Sequence, residues 1–226
     1  MRPMGRRRLL AGLLLAALTL SGCGAASEDY DDAGIDELEI PTPSPNPDDF
    51  VGYVDNAWFP LEQGSTWTYD VEADGQAGES TVTVEPSSLL LAGVKVTSVR
   101  SSTSLAGAPA TETTDYYAQD QDGNVWWFGR AGVWDVTVAG AEAGLVMPAD
   151  PRVGDGWRLA LLEGVVEDRA TVESVEDGQV ILRVESDLTP DTVVQATYDD
   201  GVGLVRTFNL EGPPGSSELT SSAAAG

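Results

Sequence analysis

"TWTYDVEADGQAGESTVTV", running from Thr66 to Val84, decides the fold class. Trp67, Tyr69 and Val71 alternate with Thr66, Thr68 and Asp70, and beyond Asp74-Gly75 Val82 and Val84 alternate with Thr81 and Thr83. Alternation with period two puts one set on each face of a strand. An Asp-Gly pair between two such runs is hairpin punctuation. The same pattern spreads outward. Trp134, Val136 and Val138 make one face, Trp157, Leu159 and Leu161 another, and Val180, Leu182 and Val184 a third. Leu204, Arg206, Phe208 and Leu210 follow, with further turn signals at Asp122-Gly123, Asp177-Gly178 and Asp200-Gly201. No window carries a helical stripe. The expected fold is all-β: an antiparallel curved sheet, half-barrel or sandwich of about 10–12 short strands.

A weak echo divides the domain in two. Gly64-Ser65-Thr66-Trp67 returns as Gly154-Asp155-Gly156-Trp157, and each is followed by valine-alternating strands. Tyr117, ahead of Asp122-Gly123, is matched loosely by Tyr198, ahead of Asp200-Gly201. A two-lobed sheet would produce this pattern, although antiparallel sheets also repeat such features without duplication.

Upstream, the chain changes character. Arg2, Arg6, Arg7 and Arg8 precede an apolar run from Leu9 to Leu20. That run falls short of the roughly 20 residues a membrane span needs and has the build of a secretory signal. Leu20-Ser21-Gly22-Cys23 resembles the lipobox of bacterial lipoproteins, in which the cysteine thiol takes a diacylglyceryl group and the chain is cut just before it. The resemblance makes Cys23 the expected lipidation site and the membrane a partner through that lipid. The chain is then expected on the outer face of the cell membrane. Residues 1–22 read as the signal peptide, 23–49 as a tether, 50–220 as the globular domain and 221–226 as a disordered tail. The tether carries nine acids between Glu28 and Asp49, no bases, and a PTPSPNP run at Pro41–Pro47. Such a composition cannot bury enough apolar surface to order itself.

Composition narrows the chemistry. There is no histidine, and Cys23 is the single cysteine. Zinc sites of the His/Cys kinds and Ser-His-Asp or Cys-His nucleophiles are therefore excluded. The formal charge is −25 and moves to −29 once the four leader arginines are gone, so nucleic acid would be repelled. Carboxylate chemistry, calcium or no chemistry remain. Glu112, Asp115, Glu163 and Glu167 are acids in or near strands that a glycosidase could use, but nothing selects them from the other acids. No enzymatic activity and no cofactor are expected.

The richest stretch is "DYYAQDQDGNVWWFGRAGVW", Asp115 to Trp134. Asp120-Gln121-Asp122-Gly123-Asn124 suggests calcium at first, but the twelfth position of an EF-hand loop would be Ala131 where a glutamate is required. It reads better as a turn at Gln121–Gly123 joining paired strands. Adjacent Trp126 and Trp127 point to opposite faces, as do Tyr116 and Tyr117, so both faces of the hairpin are either covered or one lines a groove. Tyr116, Trp126, Trp127 and Trp134 are the candidate ligand-binding residues. A concave aromatic surface of this kind suits a small hydrophobic molecule, a glycan or a peptide.

Asn56-Ala57-Trp58-Phe59-Pro60-Leu61 followed by Gly64-Ser65-Thr66-Trp67-Thr68-Tyr69 resembles the opening of a group of exported bacterial lipoproteins of unknown function. Those begin Asn-Pro-aromatic-Phe-Pro-Leu and continue Gly-x-x-Trp-x-Tyr; Ala57 stands here in place of the proline. Tyr116–Asp120, Phe128-Gly129, Met147–Pro151 and Gly201–Val205 are also similar, so the resemblance covers residues 54–211. It implies a β-rich envelope protein and brings no reaction with it. The expectation is a membrane-anchored, non-catalytic β domain that binds a ligand, with a structural or protein-interaction module of the envelope as the alternative. Sequence leaves the oligomeric state open.

Overall fold

The computed structural model describes residues 46–224. The expected signal peptide, Cys23 and the expected tether up to residue 45 lie outside the described residues. The described chain begins with a 3-10 turn, Pro47–Asp49, capped by Asn46, and a short strand β1 (Phe50–Val51). The two strands of the opening stretch follow as β2 (Thr66–Ala73) and β3 (Gln76–Glu85), then a small hairpin of β4 (Leu90–Leu91) and β5 (Val94–Lys95). Next come β6 (Thr97–Leu105), β7 (Thr111–Asp120), β8 (Val125–Arg130) and the two-residue β9 (Trp134–Asp135). β10 (Glu142–Met147), β11 (Gly156–Leu162), β12 (Val166–Glu176) and β13 (Gln179–Ser186) lead into the last third. β14 (Val193–Asp199), β15 (Gly203–Glu211) and β16 (Gly215–Ala223) end it.

Every long strand pairs antiparallel with the next in sequence, and β16 pairs with β2. Together with the β7–β8 pairing this closes the sheet into a ring of twelve: β2, β3, β6, β7, β8 and β10–β16. The curved all-β sheet expected from sequence thus becomes a complete up-and-down barrel, which leaves no long edge strand among the described residues. Bulges in the β7–β8, β8–β10, β11–β12, β12–β13, β14–β15 and β2–β16 pairings supply bends that a closing sheet requires. Gly144 sits where β10 and β11 pass so closely that a Cβ would meet the Leu159 carbonyl carbon at 2.2 Å.

Polarity runs inward to outward. One outer rung of the register reads Glu79, Asp70, Glu218, Arg206 and Thr197. The neighbouring inner rung reads Thr103, Ser80, Tyr69 and Leu219. Trp67, Tyr69, Val84, Val99, Trp157, Val172, Val180 and Leu182 are buried in the main core, as their alternation predicts. A membrane-spanning barrel carries the reverse arrangement, apolar outside and polar within. This barrel is built to stand in water.

The echo has a structural counterpart. Gly64 N donates to Val84 O while Val84 N donates to Ser65 O; Gly154 N donates to Val172 O while Val172 N donates to Asp155 O. Each half thus begins with the same hydrogen-bonded turn and contributes six strands, with Trp67 opposite Val82 and Trp157 opposite Ala170. Two half-rings of one barrel, rather than two lobes, explain the repeat.

β16 extends to Ala223, so the ordered domain passes the boundary at residue 220 and takes in the start of the expected tail. Its register with β15 covers only Arg206–Phe208 against Ser216–Glu218. Beyond those rungs side chains of β2 bridge the seam: Trp67 Nε1 donates to Val202 O and Tyr69 Oη to Leu204 O, both at 2.8 Å.

Candidate functional site: a cavity inside the barrel

In an up-and-down barrel, turns alternate between the two ends. The turns after β7, β10, β12 and β14 lie at one end, and there the segment from Val54 to Leu61 folds across the barrel as a plug. Asn56, only 6% exposed, holds it in place. Its Oδ1 accepts from the backbone N–H groups of Trp58 and Phe59, and its Nδ2 donates to Gly123 O and Pro148 O. All four capacities of the amide are used. Gln119 on β7 adds a second clamp, accepting from the N–H groups of Asp55 and Asn56 and donating to Asp55 Oδ1 at 2.7 Å. Gly201 N donates to Ala57 O. Buried Val54 and Leu61 each contribute about 1.5–3 kcal/mol by leaving water.

Behind the plug is a cavity of about 400 Å³. Phe59, Pro60 and Leu61 form its floor. The wall comes from both half-rings: Trp67, Tyr69, Val82 and Val99 from one, Val184, Val194, Ala196, Tyr198 and Leu204 from the other. Phe59 packs edge-on against Tyr117, with ring centroids 5.2 Å apart, and lies 6.1 Å from Tyr198.

The polar part of the cavity is an ion pair. Asp115 on β7 stands directly opposite Arg130 on β8. Arg130 Nε donates to Asp115 Oδ1 at 2.8 Å and its Nη2 to Oδ2 at 3.1 Å, a two-pronged pair of the strong kind. Trp127 Nε1 donates to the same Oδ1 and to Gly129 O, and the guanidinium lies 5.2 Å from the Trp127 ring centroid. Burial works against the charge on Arg130, but the hydrogen bond and charge of Asp115, with the Tyr117 oxygen and Asp168 nearby, more than offset it and raise its pKa. Burial likewise pushes Tyr198 up to about 12, and Tyr117 well above its ordinary value, where the charge of Asp115 adds to it. These phenols are neutral donors at any physiological pH.

The four aromatic candidates separate. Trp127 lines the cavity. Trp126 is buried in the main core on the other side, its Nε1 donating to Asp120 Oδ2 at 2.8 Å. Trp134 is 3% exposed and packs edge-on against Trp127 at 5.1 Å, in a small second core with Ala160 and Val166. Tyr116 packs partly buried against the main core, and its neighbour Tyr117 takes the cavity position. Tyr117 and Tyr198 both line the cavity and are not among the sequence-based candidates, although the echo pairs them.

The Asp120–Asn124 segment is a turn, as its Asp-Gly pair predicts, between paired β7 and β8. Asp120 Oδ1 accepts from the N–H groups of Asp122 and Asn124, and Oδ2 from Asn124 Nδ2 and Trp126 Nε1. Four donors occupy this carboxylate, the environment of an anion held by N–H groups and not of a cation ligand. Among the described residues no cluster of three or more metal-ligating side chains occurs. The other acids do not converge either. Glu112 pairs with Arg100 on the outer wall, Glu167 accepts from Gly164 N in the turn that also holds Glu163, and Asp115 is the one of the four that lines the cavity.

No family model matches the chain, and no curated protein matches it. Two solved structures are similar. One is a protein assigned as exported, with a YmcC-like fold, from Bacteroides fragilis; it shares 11% identity over 75% of this chain and 100% of its own, with a TM-score of 0.40. The other is a protein assigned as a lipoprotein from Parabacteroides distasonis, with 12% identity over 74% of this chain and 99% of its own and a TM-score of 0.39. At that distance no residue role transfers, and the site rests on its own geometry.

Proposed function

We propose that this chain is an extracytoplasmic protein, lipid-anchored through Cys23, whose barrel holds a small apolar ligand without transforming it. The observation that carries the reading is the cavity of about 400 Å³ between Phe59 and the Asp115–Arg130 pair. Its size lies within the roughly 300–1,000 Å³ of small-molecule sites, and its few polar groups among apolar ones match their usual make-up. A structural module would have no need of a cavity lined from both half-rings, since interiors otherwise pack to crystal density. A glycan would need more hydrogen-bonding groups than this wall offers. The water-facing outer surface leaves membrane attachment to the lipid, which suits a carrier held at the bilayer yet able to present its cavity to the aqueous side.

Titration with N-phenyl-naphthylamine, a neutral probe that brightens in apolar surroundings, tests the reading on the full chain held in an amphipathic polymer. Saturable binding at one site is expected, and Ala196→Trp, which fills the cavity from its wall, abolishes it. Binding that survives Ala196→Trp in a folded protein, or no binding at all, contradicts the proposal.

A further inference from the structure

Tyr117 and Tyr198 occupy matching places in the two half-rings, on β7 and β14, the strands that run into Asp-Gly turns at the plugged end. Both line the cavity, and Phe59 packs against both. Burial holds the proton of each hydroxyl, and the Tyr198 phenol lies within electrostatic reach of Tyr117. Tyr69, the third phenol on this wall, donates to Leu204 O. Neither Tyr117 nor Tyr198 has a hydrogen-bonding partner among the described residues. A tyrosine hydroxyl on an apolar wall usually finds a partner, so two phenols on one cavity, both packed against Phe59, are donors for a molecule that enters it.

We propose that the ligand is a neutral, largely apolar molecule carrying a carbonyl oxygen, which accepts hydrogen bonds from the hydroxyls of Tyr117 and Tyr198. The inference rests on the ligand-binding reading above and specifies its chemistry. A carbonyl oxygen has two lone pairs and no proton, the complement of two donors. Charge argues for a neutral molecule. The Arg130 guanidinium already faces Asp115 through two hydrogen bonds, Asp168 adds a further negative charge nearby, and the whole chain carries −25. An anion would leave water for a site with no unpaired positive charge and meet a repelling field on the way. The same burial that keeps both phenols protonated would oppose it. Val82, Val99, Val184, Val194 and Leu204 receive the apolar remainder. An apolar cavity of about 150 Å³ holds benzene, so by proportion this one takes roughly fifteen non-hydrogen atoms.

Three probes of matched size separate the possibilities: butyl phenyl ketone, pentylbenzene and phenylvalerate, each used to displace N-phenyl-naphthylamine from the full chain. The ketone is expected to bind about tenfold or more tightly than pentylbenzene, and phenylvalerate more weakly than either. Tyr117→Phe/Tyr198→Phe should remove the preference for the ketone while leaving pentylbenzene unchanged. The carbonyl stretch of the bound ketone should lie below its frequency in hydrocarbon and return toward it in the double variant. Equal binding of ketone and hydrocarbon, a preference that survives the double variant, or tighter binding of phenylvalerate overturns the inference while leaving the barrel a ligand carrier. If no probe displaces the dye, the inference falls; if the dye itself does not bind, the carrier reading falls with it.

Discussion

Asn56 Nδ2 donates to the backbone carbonyl of Gly123 at 2.9 Å, across 67 residues of chain, and so ties the plug to the turn between β7 and β8. The same amide meets Pro148 O and the N–H groups of Trp58 and Phe59, so one side chain closes one end of the barrel. Asn56→Ala leaves these groups without their partner in a buried site. At about 0.5–1.5 kcal/mol net for each hydrogen bond, and more where a group stays unsatisfied, the cost is about 3 kcal/mol or higher. Amide exchange of residues 54–61 should accelerate well before the wall strands do. Unchanged protection of the plug would show that Asn56 is not its fastening.

The two tryptophans that begin the half-rings should respond differently to the same change. Trp67 Nε1 donates to Val202 O, whereas Trp157 Nε1 is the one buried side-chain nitrogen or oxygen without a partner among the described residues. Replacement by phenylalanine removes similar apolar area in both cases. At Trp67 it also strips a hydrogen bond from the seam, and at Trp157 it removes a buried N–H that was never satisfied. Trp67→Phe is expected to be about 1–2 kcal/mol more destabilising in urea unfolding. Equal losses, or a larger loss at Trp157, would contradict this.

Alkaline pH should unfold the barrel. Burial raises Tyr198 to about 12 and lifts Tyr69 and Tyr117 as well, with Tyr198 adding to Tyr69 and Asp115 to Tyr117. In the unfolded chain all three titrate near about 10. The folded state therefore holds its protons more tightly. Their contribution to stability is complete below about pH 10 and is lost as pH rises from there through the folded pKa values. With about 1.4 kcal/mol per proton per pH unit, three tyrosines give a slope of at most about 4 kcal/mol per unit. Urea midpoints measured at rising pH, followed with tyrosinate absorbance, check this, and Tyr198→Phe should make the slope shallower. Titration of all the tyrosines near their ordinary value in a still-folded protein would refute it.

Cys23 lies outside the described residues, and its role is tested by labelling. A single acyl chain holds a protein only marginally, whereas two or more anchor it stably. Nine acids between Glu28 and Asp49 offer no attraction to anionic headgroups, so on the proposed reading the lipid is expected to supply the membrane affinity. Cys23→Ala should block incorporation of a tagged fatty acid and leave an unprocessed precursor or a protein released to the medium. Normal labelling and processing of the variant would remove Cys23 from the account.

Much of the wall was legible because alternation is a local property. The Thr66–Val84 hairpin, the paired strands on either side of Gln121–Gly123, and the burial of Trp67, Tyr69 and Trp157 all follow from period two and turn chemistry. Ring closure was not, since it depends on β16 meeting β2 from the far end of the chain. Gly215–Ala223 reads GSSELTSSA, with Leu219 its single large apolar residue, and its pairing with β2 is made mainly by the backbone.

The site was legible only in outline. Alternation says that Trp126 and Trp127 face opposite ways and leaves unsaid which of them faces in. The register shift between Tyr116 and Tyr117, opposite Gly129 and Trp127, brings Arg130 and Trp127 to the same carboxylate, and no sequence pattern marks it. The Asn-x-aromatic-Phe-Pro-Leu motif, visible from the start, acquires its meaning only from the fold: Asn56 fastens the plug and Phe59 is the cavity floor.

The most direct measurement is a crystal structure of the protein grown with saturating butyl phenyl ketone. Density for the ligand is expected inside the barrel, between Phe59 and the Asp115–Arg130 pair, with its oxygen within about 3 Å of the Tyr117 and Tyr198 hydroxyls. A barrel holding only water at saturation, or a ligand seated on the outer wall instead, would contradict the account.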